Sequence, residues 1–162
     1  MERLIGTRFN RIYRCLDMMC LDLGEDLVFF KLEDDHDTAP QRSPQFSLHF
    51  QTQWRFLQND TILLGSRDIY EPFCETVDDD WRYDIPGRPD EESSVFDVKR
   101  RLLTHRLTDS HVTNATVSPV GDVLIRFSNG IQLMSFTPAS RVDEEWRLID
   151  FAQDEHIIFR EI

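Results

Sequence analysis

Glycine, cysteine and positive charge are all scarce in this chain, and each scarcity removes a class of function. Only 6 glycines occur in 162 residues. Neither a Walker-type Gly-x-x-x-x-Gly-Lys loop nor a Gly-x-Gly-x-x-Gly turn is present, so a backbone cradle for phosphate is not expected. Three cysteines, Cys15, Cys20 and Cys74, make no repeating framework and fit a reducing compartment. Lys and Arg total 18 against 30 Asp and Glu, a net charge of -12 that repels nucleic-acid phosphates. No apolar run approaches the roughly 20 residues that span a bilayer, so no membrane partner is expected. The chain is polar by its second residue and lacks the apolar core of a secretory leader. The expected compartment is the cytoplasm.

Large apolar side chains are plentiful by contrast, with 12 Phe among the aromatics. That composition supports a packed core and a single domain over 1–162. The most regular stretch is Phe46-Ser-Leu48-His-Phe50-Gln-Thr52-Gln-Trp54-Arg-Phe56, whose even positions are apolar or Thr and whose odd positions are polar. Alternation of period two predicts one long strand with one face in the core. Upstream, Phe9 to Leu23 reads as a strand bulged near Asp17. Gly24-Glu25-Asp26 then reads as the hairpin turn and Leu27 to Leu32 as the returning strand. Glu33 to Pro44, acidic with two prolines, reads as a loop.

Beyond the long strand, Asn59-Asp60 predicts a turn into Thr61 to Leu64. A long acidic connection then runs over 67–93, carrying Tyr70, Phe73, Trp81 and Tyr83 among its acids. Ser94-Val-Phe-Asp97 opens an amphipathic helix over 94–107, with Ser94 as N-cap and Val95, Phe96, Leu102, Leu103, Leu107 and, less centrally, Val98 on its apolar face. Strands follow at 112–117, 123–127 and 131–136. The Ser128-Asn129-Gly130 link is best read as a three-residue loop with left-handed Gly130, which sets Phe127 opposite Ile131 and Ile125 opposite Leu133. Short strands near Trp146 and at His156 to Phe159 close the chain. The predicted fold class is α+β, mainly β. It is a strongly curved antiparallel sheet or partly open barrel of about eight strands with the one helix.

Residues with catalytic potential do not form a recognised motif. His36 among Glu33, Asp34, Asp35 and Asp37 matches neither a zinc spacing nor an EF-hand, and Asp78-Asp79-Asp80 fails for the same reason. Cys15 and Cys20, five apart, would face opposite sides of a regular strand and read as core fillers. The basic helix positions Lys99, Arg100, Arg101 and Arg106 read as partners for neighbouring acids. No catalytic residue, metal or cofactor is expected. His49, Gln51, Gln53 and Arg55 line the polar face of the long strand and would make a pocket if that face were enclosed, the basis of an alternative reading as a small ligand-binding or enzymatic barrel. The acidic segments with nearby aromatics carry the main reading. Asp34, Asp35 and Asp37, with Asp78, Asp79, Asp80, Trp81 and Asp84, combine charge that speeds encounter with area that holds a partner.

The runs Leu48-His-Phe-Gln-Thr-Gln-Trp-Arg55 and Ile62-Leu-Leu-Gly-Ser-Arg-Asp-Ile-Tyr70 resemble a family of small uncharacterised bacterial proteins. So do Leu124-Ile-Arg-Phe-Ser-Asn-Gly-Ile-Gln-Leu133 and Glu145-Trp-Arg-Leu148, and the similarity extends from Leu4 to about Leu148. Members of that family look like immunity proteins of polymorphic or contact-dependent toxin systems. The resemblance implies a non-enzymatic inhibitor whose partner is a basic toxin domain, a nuclease among the candidates. It carries over no catalytic residues.

Overall fold

The computed structural model describes residues 1–29, 41–85, 89–138 and 144–158. Its strands in chain order are β1 (Phe9–Cys15), β2 (Met18–Phe29), β3 (Gln41–Phe50), β4 (Gln53–Gln58) and β5 (Thr61–Gly65). After the helix α1 (Val95–Leu107) come β6 (Val112–Val117), β7 (Val123–Phe127), β8 (Gln132–Phe136), β9 (Trp146–Asp150) and β10 (Glu155–Ile158). They form two antiparallel five-stranded sheets, ordered β1-β2-β3-β9-β10 and β5-β4-β8-β7-β6. The mainly β, α+β architecture therefore holds. The described strands divide into two sheets instead of one, and neither sheet closes on itself. Among the described residues no helix is long and apolar enough to cross a membrane.

The long alternating stretch is where the two sheets part. β3 ends at Phe50 and β4 begins at Gln53, the first in one sheet and the second in the other. Alternation survives the break because Phe46, Leu48, Phe50, Thr52, Trp54 and Phe56 are all buried. Phe46, Leu48 and Phe50 meet Trp54, Phe56, Leu133 and Leu148 in one apolar cluster fed by both sheets. Each such side chain contributes about 1.5–3 kcal/mol of burial.

The first hairpin turns earlier than its sequence implies. Cys15 pairs with Met18, so the turn is Leu16-Asp17, and Leu16 adopts φ 56. Gly24-Glu25-Asp26 is no turn. It is a bulge inside β2, where the register with β3 shifts between Leu23 and Asp26. Gly24 stands at φ 82, and a Cβ there would approach the Gln45 Cβ to 2.6 Å. The glycine is demanded by close approach of a neighbouring strand, not by chain reversal. β3 also begins at Gln41, inside the predicted loop. Pro44 lies opposite Asp26, beside the bulge that interrupts the ladder between β2 and β3, a place where a strand accommodates proline.

The remaining turns follow their local chemistry. Asn59 and Asp60 both take positive φ, 48 and 61, as a two-residue hairpin turn requires. Gly130 has φ 83, Phe127 N–H donates to the Ile131 carbonyl at 2.9 Å, and Ile125 pairs with Leu133. The three-residue loop is thus the one formed. In α1, Ser94 Oγ accepts from the Asp97 N–H at 3.2 Å and donates to Asp97 Oδ2 at 2.9 Å. The helix buries Phe96, Leu103 and Leu107, a stripe one residue wide, and Leu102 points outward at 66% exposure. Leu102 sits about 100° around the helix from Leu103, so a narrow stripe excludes it.

Candidate functional site

The acidic connection is anchored at both ends. At its start the 3-10 turn Ser66–Ile69 buries Ile69. Val95 N–H then donates to the Glu71 carbonyl at 2.8 Å and Phe73 N–H to the Ser93 carbonyl at 2.9 Å. The described residues 74–85 and 89–92 therefore belong to an excursion whose two ends meet beside the start of α1. Within it Trp81 Nε1 donates to the Glu92 carbonyl at 2.8 Å, and the Tyr83 ring meets Tyr70 edge-on with centroids 4.9 Å apart.

Arg14 of β1 ties the loop to the rest of the molecule. Its Nε donates to Asp97 Oδ1 at 3.1 Å and its Nη2 to Asp97 Oδ2 at 2.7 Å. The remaining bonds go to the carbonyls of Leu16 at 2.8 Å and Tyr83 at 2.7 Å. Only 11% of the Arg14 side chain is exposed. A planar, two-pronged cation suits this role, since a single ammonium could not hold a carboxylate in parallel while reaching two carbonyls. Burial pushes the Asp97 carboxyl up, but hydrogen bonds from Arg14 and Ser94 and the charges of Arg14 and Arg100 outweigh it. Asp97 consequently titrates below its ordinary value.

Two clefts flank this anchor. The first, about 400 Å³, is lined by Leu16, Trp81, Tyr83, Ile85 and the first turn of α1. Its charges answer one another: Arg82 pairs with Asp84 at 2.5 Å, Arg101 with Asp90 at 2.6 Å, and Arg14 with Asp97. The hydrogen bond from Arg82 holds the Asp84 carboxyl below its usual value. The second cleft, about 530 Å³, shares the Trp81, Ile85 and Glu92 walls and adds Thr76, Val77, Asp78, Asp80 and Glu91. Four acidic residues line it, and no basic residue is among its described lining.

The structure thus gathers Asp78, Asp80 and Trp81 from the predicted partner-binding set. Asp84 lies in the first cleft, occupied by Arg82, and Asp79 is exposed and lines neither. Asp34, Asp35 and Asp37 fall outside the described residues. Sequence reasoning missed Leu16, Arg14 and Ile85. The first two come from a hairpin more than 60 positions upstream of Trp81, and no local pattern connects them to it.

The four residues of the alternative pocket do not converge. Gln51 and Gln53 share a polar cleft of about 430 Å³ with Asp17, Arg67, Tyr70 and Glu145. Arg55 instead lies 4.8 Å over the Phe136 ring. His49 is on the other sheet, paired across strands with Cys20 and Arg147. Burial is the main cause holding the His49 imidazole below its usual pKa, with Arg147 and His156 acting the same way and Asp22 and Glu144 opposing. Burial likewise pushes the Cys20 thiol up to about 12, the reverse of what a nucleophile needs. The Leu16-Asp17 turn also corrects the expected placement of the cysteines. Cys15 and Cys20 stand on paired strands and face the same side, Cys15 exposed and Cys20 buried outside the main core. Next to Cys20 along β2, Asp22 is fully buried, bonded by Arg11 at 2.5 Å and by the Ser47 hydroxyl. Among the described residues no three His, Cys, Asp or Glu side chains gather to hold a metal ion.

Compared with family models, curated proteins and solved structures, the chain matches none.

Proposed function

We propose that this protein is an immunity-type inhibitor. It acts in the cytoplasm without catalysis and neutralises a basic toxin domain by covering it with an acidic, aromatic-containing surface. The supporting observation is the second cleft, in which Asp78, Asp80, Glu91 and Glu92 surround Trp81 and Ile85. Carboxylates around an aromatic wall suit a lysine or arginine side chain, whose apolar stem lies on the ring while its head meets the acids. A nuclease domain must carry positive charge to hold phosphates, so such a cover would both attract it and occlude it. The toxin setting comes from the resemblance of the strand and turn runs described above.

The reading is tested by mixing the purified chain with the basic toxin domain encoded beside it. A one-to-one complex is expected, with toxin activity lost at stoichiometry and an association rate that falls steeply with salt. Reversing Asp78 and Asp80 to Lys should slow association by about tenfold or more. Failure to form a complex at low salt, or turnover of a small molecule by the chain alone, would refute the proposal.

A further inference from the structure

The tip of the β1–β2 hairpin carries a side chain that neither its backbone nor the core explains. Leu16 stands at φ 56 and is 60% exposed. Positive φ crowds Cβ against the backbone, so a two-residue turn with this conformation at its first position favours glycine, with asparagine next. A bare aliphatic group here gains little from burial and carries the strain as well.

Its surroundings give it a use. Arg14 holds the Leu16 and Tyr83 carbonyls on one guanidinium, at 2.8 and 2.7 Å, which fixes the hairpin tip against the acidic connection. Leu16, Trp81 and Ile85 accordingly line one cleft, with Ile85 44% exposed. Trp81 and Ile85 are also walls of the neighbouring acidic cleft. Apolar side chains and negative charge are thus continuous around Trp81, with cations of the first cleft matched to Asp84, Asp90 and Asp97.

We infer that Leu16 is the apolar anchor of the partner surface, and that its occupant is a basic protein segment carrying an apolar side chain among its lysines or arginines. The inference rests on the acidic-cover reading and names the partner's chemistry more narrowly. Charge complementarity selects a basic segment, and the Leu16, Trp81 and Ile85 side chains beside the acids select an apolar residue within that segment.

Two peptides serve as probes, one of eight lysines and one with the same eight lysines and two central leucines. Titration is followed by tryptophan fluorescence, which reports mainly on Trp81 because Trp54 and Trp146 are only 2% and 3% exposed. The leucine-containing peptide is expected to bind the wild type about tenfold more tightly, the effect of one modestly buried aliphatic side chain. Leu16→Gly and Leu16→Asn should erase that preference, leave octalysine binding unchanged and not lower the melting temperature. A variant with Asp78→Lys and Asp80→Lys should lose both peptides. Preference retained in the Leu16 variants overturns the inference and leaves the acidic reading standing. Binding of neither peptide to the wild type, or equal binding to the charge-reversed variant, overturns both. A fall in melting temperature with both Leu16 substitutions assigns Leu16 a structural role and overturns the inference. So does a concentration-dependent dimer that Leu16→Gly abolishes, since the occupant is then a second copy.

Discussion

Asp22 and Asp80 are carboxylates of one acid-rich chain held in opposite circumstances. Asp22 has no exposed surface and is met by Arg11 and the Ser47 hydroxyl. Asp80 is exposed beside Asp78 and Glu91, and no ion pair among the described residues reaches any of the three. A carboxylate inside a protein is tolerable only with its counter-charge in place, so the fold supplies one. Outside, water makes the carboxylate inexpensive, and the answering cation is left to ions or to another molecule. One region shows how the sheet is held; the other is where an incoming charge has something to find.

The sharpest way to break that contrast is at Arg11, whose side chain is 55% exposed while that of Asp22 is fully enclosed. Arg11→Met strands a buried charge and should cost about 3–5 kcal/mol in urea unfolding. Asp22→Asn leaves only a cation that can turn to solvent, and should cost about 1–3 kcal/mol. Equal losses would mean that the Arg11 pairing is not what makes the buried Asp22 tolerable.

Next in size is Arg14→Ala, which removes a two-pronged pair and two carbonyl contacts. A loss of about 2–3 kcal/mol is expected. Amide exchange should rise first at residues 81–85, since the Tyr83 carbonyl loses its donor. Uniform exchange across the chain would refute Arg14 as the anchor of the loop.

A smaller effect belongs to pH. Asp97 titrates below its ordinary value, so its contribution is intact above about pH 4 and disappears as the pH falls through the lowered native value. Stability of Asp97→Asn should therefore fall less steeply than wild type on acidification below that point. Urea midpoints measured from pH 6 down to pH 2.5 decide it, and parallel curves would count against the Arg14 pairing.

Smallest for stability is reversal of Asp78 and Asp80 to Lys, expected to change it by no more than about 0.5 kcal/mol because these exposed acids form no ion pair among the described residues. The same substitutions should have the large effect on partner association described above. A large loss of stability would place these acids among the structural ones and collapse the contrast.

Local chemistry made several elements legible. The Ser94 cap, the Asn59-Asp60 turn and the bulged loop at Gly130 each follow from a few adjacent residues, and the structure forms all three. Long-range relations were not legible. Alternation from Phe46 to Phe56 reports which side chains go inward, and it did so correctly, but both sheets look onto the same core, so the parity is identical before and after the chain changes sheet. Gly24 resembles a turn residue because a turn and a close strand approach make the same demand on Cβ. Leu16 hid a real turn because leucine is a poor residue for that backbone. Of the site, the acids and Trp81 could be read from composition. The hairpin tip that meets them could not, since Arg14 joins it to Tyr83 across 69 positions.

The departure of the chain at Gln51 also sets a timetable for biosynthesis. β3 finds its second neighbour only when β9 is made, with Leu48 waiting for Leu148 while every strand of the other sheet is translated in between. At bacterial or eukaryotic elongation rates of about 5–20 residues per second, the nascent β3 spends roughly 5–20 s with a free flank. Its row of Phe46, Leu48 and Phe50 is the kind of ribbon that other emerging chains on a crowded polysome can adopt. Expression yield should accordingly depend on translation speed across residues 51–145.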